Sequence, residues 1–152
     1  IVRAMEAGDF YASSGVTLRD VKREGDRLAV AIQAEPGVTY RTQFIGTRKG
    51  YSTASQLLAQ PPSEKQPCRT LPHRRYSPDV GKVLTEIAGT NASPVRSESR
   101  ATSHRSGSAS CRLRGDEIYV RAKIISSRLK ANGSVAGEYE TAWTQPLVNP
   151  KK

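Results

Sequence analysis

Few side chains in this sequence have the types needed for covalent or metal chemistry, and their spacing keeps them apart. The histidines are His73 and His104, and the cysteines are Cys68 and Cys111. A closed zinc site wants four ligands at short paired spacings, and neither cysteine belongs to a Cys-x-x-Cys pair. The thiols read either as one disulfide of an exported protein or as two unrelated reduced thiols. Hydrolysis needs a metal-bound water, or a nucleophile with a base in reach. His73 stands between Pro72 and Arg74 in a loop, and His104 lies in a Ser/Arg-rich stretch, so neither has a carboxylate partner legible nearby. Asp116 and Glu117 follow Gly115 and invite an acid–base or metal reading. Adjacent residues in a strand point to opposite faces, so the pair reads instead as a turn leading into a strand. No catalytic residue, metal ligand or cofactor is assigned to this chain.

Binding is better represented. The chain carries 24 Lys and Arg against 14 Asp and Glu, a formal charge of +10. Such a balance attracts nucleic acid, anionic lipid or a phosphorylated substrate, but here the charge is spread rather than striped, as on a solvated surface. Arg69, Arg74, Arg75, Arg112 and Arg114 are the candidate anion contacts, by charge alone. Binding through them would be salt-sensitive, because it works by counterion release. Nothing resembles a recognition helix, a zinc finger or an aromatic RNA-binding motif, so nucleic acid is carried as a partner on charge alone. Trp143, the only tryptophan, with Gln145 and Pro146, offers a stacking surface for a sugar or base. A tryptophan in a sandwich strand is more often core, and that reading is preferred. Arg121 reads as an ion-pair partner rather than a ligand contact. No apolar run approaches the roughly 20 residues of a membrane helix, so no span is expected.

The elements that must position these residues follow from periodicity. Ile1 to Gly8 reads as a helix remnant: a stop glycine is present at Gly8, and no capping residue precedes the apolar positions. From Val16 the period changes to two. Strands are expected over 16–22, 27–34 and 38–46, joined by turns at Glu24-Gly25-Asp26 and Glu35-Pro36-Gly37, as a three-stranded meander. Residues 47–76 lose the pattern, and the prolines between Pro61 and Pro72 exclude a central strand. A short helix is predicted over 77–89, with Ser77 as N-cap, Pro78 and Asp79 in the first turn, and Val80, Val83, Leu84 and Ile87 on one face. Residues 91–112 are rich in Ser and Arg, and a disordered insertion is expected there. Alternation returns at Ile118, Val120, Ala122 and Ile124, and a last strand covers 139–144. The fold class expected is mainly β, an antiparallel β-sandwich over 16–149, with residues 1–15 as the end of a preceding domain and its junction.

Three pieces together resemble one family. The ending helix with Ala7-Gly8-Asp9-Phe10-Tyr11-Ala12-Ser13-Ser14-Gly15 resembles the junction in bacterial PHP-type (polymerase and histidinol phosphatase) metal-dependent phosphoesterases, where the final barrel helix runs into a C-terminal β-sandwich. Gly115-Asp116-Glu117-Ile118-Tyr119-Val120-Arg121-Ala122 and Thr141-Ala142-Trp143-Thr144-Gln145-Pro146 resemble the two closing strands of that sandwich. The resemblance covers residues 1–50 and 113–149. It implies a noncatalytic accessory domain whose partner is an upstream catalytic barrel in the same protein, contacted through Phe10 and Tyr11. The family's histidine and aspartate clusters do not occur in this sequence. The alternative, from another class, is a stand-alone module that binds a polyanion or a carbohydrate.

Overall fold

The computed structural model describes residues 1–58, 73–89 and 107–148 of the 152-residue chain. After the short helix α1 (Val2–Ala7), the chain forms β1 (Tyr11–Ser13), β2 (Leu18–Glu24), β3 (Arg27–Ile32), β4 (Tyr40–Arg48), β5 (Ser55–Leu58), β6 (His73–Tyr76), β7 (Lys82–Ala88), β8 (Ser108–Arg112), β9 (Glu117–Leu129), β10 (Tyr139–Thr144) and β11 (Leu147–Val148). Every pairing is antiparallel. A large sheet has the order β1-β10-β9-β4-β7, with β11 also on β9, and a small sheet has the order β2-β3-β8. A separate hairpin pairs β5 with β6. The mainly-β, antiparallel fold read from the sequence is the one observed.

The two sheets face each other across a single core. Leu28, Val30 and Ile32 come from the small sheet, and Tyr40, Phe44, Val120, Ala122, Ile124 and Ala142 from the large one. Strict alternation in β3 and β9 aims these side chains inward, and full burial of one such group stabilises the fold by about 1.5–3 kcal/mol. Tyr40 to Arg48 pairs with Ser126 to Glu117 nearly along its whole length, making β4 and β9 the spine of the large sheet. Among the described residues no helix is long and apolar enough to cross a membrane.

Four expectations are corrected. The meander does not continue past β3, because β4 crosses to the other sheet: the Glu35-Pro36-Gly37 turn forms, with Val38 N–H donating to Glu35 O at 3.2 Å, but it redirects the chain between layers. The helix predicted over 77–89 is a single turn followed by strand β7. Ser77 Oγ accepts the Asp79 N–H at 3.3 Å and Ser77 O accepts the Val80 N–H at 3.1 Å, so the capping chemistry is real, but Gly81 at φ 67° ends it after one turn. The helix-like spacing of Leu84 and Ile87 comes from a bulge: Phe44 pairs with Thr85 and Ile45 with Val83, leaving Leu84 between them, so residues three apart both pack on the core.

The tract 47–76, where the alternating pattern is lost and no central strand was expected, contributes β5 and β6 only as a separate hairpin, a pairing its irregular sequence does not announce. Finally, the tract expected to be a disordered insertion includes β8 at its C-terminal end, where Ala109 and Cys111 are buried in the core. Its inward residues are too small to register as an apolar strand. Residues 90–106 lie outside the described residues, as do Cys68, Arg69 and His104.

Candidate functional site

Strands β7 and β8 each form one edge of their sheets, and a cleft of about 630 Å³ opens beside them. Its floor holds Cys111 and Leu84, and its rim carries Arg48, Arg112, Arg114 and Glu117. Arg48 is the last residue of β4, Arg112 ends β8, and Arg114 sits in the turn that leads into β9. That turn is built by Glu117. Its side chain is buried, and its carboxylate accepts the backbone N–H of Arg114 at 3.0 and 3.1 Å and of Gly115 at 2.9 Å. Asp116 points outward, and its carbonyl accepts the Lys49 N–H at 2.8 Å. The adjacent acids are thus divided between a buried turn brace and an exposed position, as alternation in a strand requires.

The three arginines of the cleft are not equivalent. Arg112 Nε donates to Asp26 Oδ2 at 2.5 Å, a surface ion pair that joins β8 to the β2–β3 turn. The hydrogen bond from Arg112 holds the Asp26 carboxyl below its ordinary range. Among the described residues Arg48 has only Asp116 as a charge partner, at 3.9 Å, and its Nε is buried without a hydrogen-bond acceptor. Arg114 makes no ion pair among the described residues. Cys111 Sγ lies 3.7 Å from the Thr85 hydroxyl, and desolvation pushes its thiol pKa up, so the thiol stays protonated at neutral pH. It is a core thiol, and its chemistry is not that of a nucleophile.

A second cationic region lies on the outer face of the large sheet. Ala12, Trp143, Lys123, Gln43 and Glu86 stand opposite one another across β1, β10, β9, β4 and β7. The Arg121 guanidinium lies over the Trp143 ring, 4.5 Å from its centroid, and Lys123 Nζ lies 4.8 Å from it. Trp143 is therefore half-buried on the face away from the core, and the reading of it as core is corrected. The reason is register: Ala142 and Thr144 take the inward positions of β10, so Trp143 must point out. A ring already carrying two cations is a poor platform for a sugar. Arg121, expected as an ion-pair partner, makes no ion pair among the described residues and stacks on the indole instead.

Thr144 has its own role here. Its hydroxyl accepts the Ala122 N–H at 2.9 Å, bridging the ladder where Gln145-Pro146 separates β10 from β11.

The remaining sequence candidates are dispersed. Arg74 and Arg75 lie on β6 of the separate hairpin, where Arg74 Nη1 donates to Ser55 Oγ at 3.1 Å. The structure thus brings Arg112 and Arg114 together, and adds Arg48, which charge counting along the sequence had missed. Its only sequence signal is its position at the end of an alternating strand. Phe10 and Tyr11 are both partly exposed, and the Tyr11 hydroxyl accepts the Leu18 N–H at 3.2 Å. Among the described residues no group of three or more His, Cys, Asp or Glu is placed to hold a metal ion. No protein-family model, curated protein or solved structure matches the chain.

Proposed function

We propose that this chain is a noncatalytic β-sandwich domain that packs on the catalytic barrel of a PHP-like metal-dependent phosphoesterase. The observation that carries the reading is a set of apolar side chains left exposed among the described residues. Helix α1 buries none of its residues: Ile1 is fully exposed, Val2 67% and Met5 60%, and Phe10 continues the set at 44%. A helix of six residues has no stability of its own in water and gains it by packing an apolar face. None of the described residues buries the apolar side chains of α1, so a neighbouring domain is the natural partner. The resemblance of residues 7–15, 115–122 and 141–146 to the PHP-type junction and closing strands supplies that neighbour's class.

Met5 is the only methionine, which makes the test simple. Peroxide oxidation of Met5 is followed by mass spectrometry in the isolated 152-residue domain and in the native protein. The reading expects rapid oxidation in the domain, strong protection in the native protein, and hydrolysis of a phosphate monoester by the native protein that stops on chelation of divalent metal. Equal oxidation in both forms, or a native protein without metal-dependent phosphoesterase activity, would remove it.

A further inference from the structure

We infer that the cleft between β7 and β8 binds a small phosphate-bearing anion, gripped by Arg48 and Arg114. This does not rest on the barrel reading, since every residue it uses lies in the sandwich. Among the described residues Arg114 makes no ion pair, and Arg48 Nε has no hydrogen-bond acceptor. Of the acids at the cleft, Asp26 is engaged by Arg112, and Glu117 is held by two backbone N–H groups. Asp116 stands 3.9 Å from Arg48 Nε, beyond hydrogen-bond reach. A buried donor without an acceptor is uncommon in folded proteins because it forgoes its bond to water without replacement. Among the described residues Arg48 Nε is such a donor, and it lies at the end of central strand β4, where the pairing with β9 shifts register.

Shape and chemistry narrow the ligand. The cleft volume of about 630 Å³ is larger than phosphate itself and falls in the range that encloses small molecules. Two guanidinium forks from different elements can each take two oxygens, which a tetrahedral oxyanion supplies and a single carboxylate does not. The Thr85 and Ser110 side chains line the same cleft and add hydroxyl character beside the forks. The Cys111 thiol below them is neutral, so it neither repels an anion nor competes for the arginines. The geometry describes a site for the phosphate of a small phosphate ester, with the organic part in the rest of the cleft. A flat, charge-spread surface for a long polyanion would not need a concave site.

The test is titration with inorganic phosphate, following the Nε–Hε signals of the arginines by ¹H–¹⁵N spectroscopy against chloride at equal ionic strength. Saturable displacement of the Arg48 signal by phosphate and not by chloride is the expected result. Arg48→Met and Arg114→Met should each weaken the binding about tenfold or more, the loss of one charge-assisted contact. Arg74→Met, on the separate hairpin, should leave it unchanged. Using two cleft variants keeps the test decisive if either fails to fold. Linear, unsaturated shifts that chloride reproduces, or equal losses in Arg48→Met and Arg74→Met, would overturn the site.

Discussion

Arg48 and Arg121 make the same unusual demand on the protein and are answered differently. Each has a buried Nε without a hydrogen-bond acceptor, and they sit on the paired strands β4 and β9. Arg121 rests on the Trp143 ring, which also carries Lys123, so the fold itself supplies an electrostatic partner for the two cations. Among the described residues no ring lies over Arg48, and its ion-pair partner Asp116 is out of hydrogen-bond reach. Counting basic residues would rank the two alike. What separates them is the partner: Arg121 stacks on a ring, whereas Arg48 meets a carboxylate only at ion-pair distance and lines the cleft.

The comparison can be broken at its foundation. Phe44 is fully buried in β4, beneath both regions, and Phe44→Ala should cost about 3–5 kcal/mol in chemical denaturation, weakening them together. A smaller change separates them. A Cβ added at Gly46 would lie 2.5 Å from the Tyr119 carbonyl oxygen and 2.9 Å from Leu84 Cδ1, so β4 must shift two residues before Arg48. Gly46→Ala should destabilise by about 1–3 kcal/mol, the usual range for overpacking. It should also reduce phosphate binding more than its stability loss explains.

Trp143→Ala removes the ring under two cations and should cost about 1–2 kcal/mol, summing two partly exposed cation–π contacts. Phosphate affinity should stay as in the wild type. If it fell with the tryptophan, the two regions would be one site.

The smallest expected effect is at low pH. Asp26 is held below its ordinary range by Arg112, and Glu138 by Lys130 with the Ser134 N–H. A carboxylate whose folded pKa is depressed stabilises the fold above its unfolded value, 3.8 for Asp26 and 4.5 for Glu138, and loses that contribution as pH falls through the folded value. Both are solvent-exposed, so the loss should be small and further reduced by salt. Asp26→Asn should lower stability slightly at neutral pH, leave it unchanged at the lowest pH, and so flatten part of the acid limb of a stability–pH curve.

How much of this could be read along the chain depended on what each residue had to announce. β3 and β9 were legible because larger apolar residues alternate with smaller or polar ones over six or more positions, and β10 because Pro146 marks where it stops. β7 was not, because a bulge gave Leu84 and Ile87 a helix-like spacing and Ser77 a cap-like role. β8 was not, because Ser108-Ala109-Ser110-Cys111-Arg112 puts only small groups inward, and its strand character comes from pairing with β3. The cleft was half legible. Arg112 and Arg114 stood out as a cluster, whereas Arg48 joins them only through the crossing of β4 into the large sheet. Trp143 was misjudged for a related reason: its residue type favours burial, but the face it occupies is set by the strand's register. Local chemistry is written in the sequence, and the juxtaposition of distant arginines is written in the topology.

The account turns on the claim that Arg48 is held for a ligand and Arg121 for the fold. The most direct measurement is the Tm of wild type, Arg48→Met and Arg121→Met, each with and without inorganic phosphate at constant ionic strength. The account predicts that Arg121→Met lowers the phosphate-free Tm, whereas Arg48→Met leaves it unchanged or raises it. It also predicts that phosphate raises the Tm of wild type and Arg121→Met but not of Arg48→Met. An Arg48→Met protein that is destabilised as much as Arg121→Met and still gains from phosphate would contradict it.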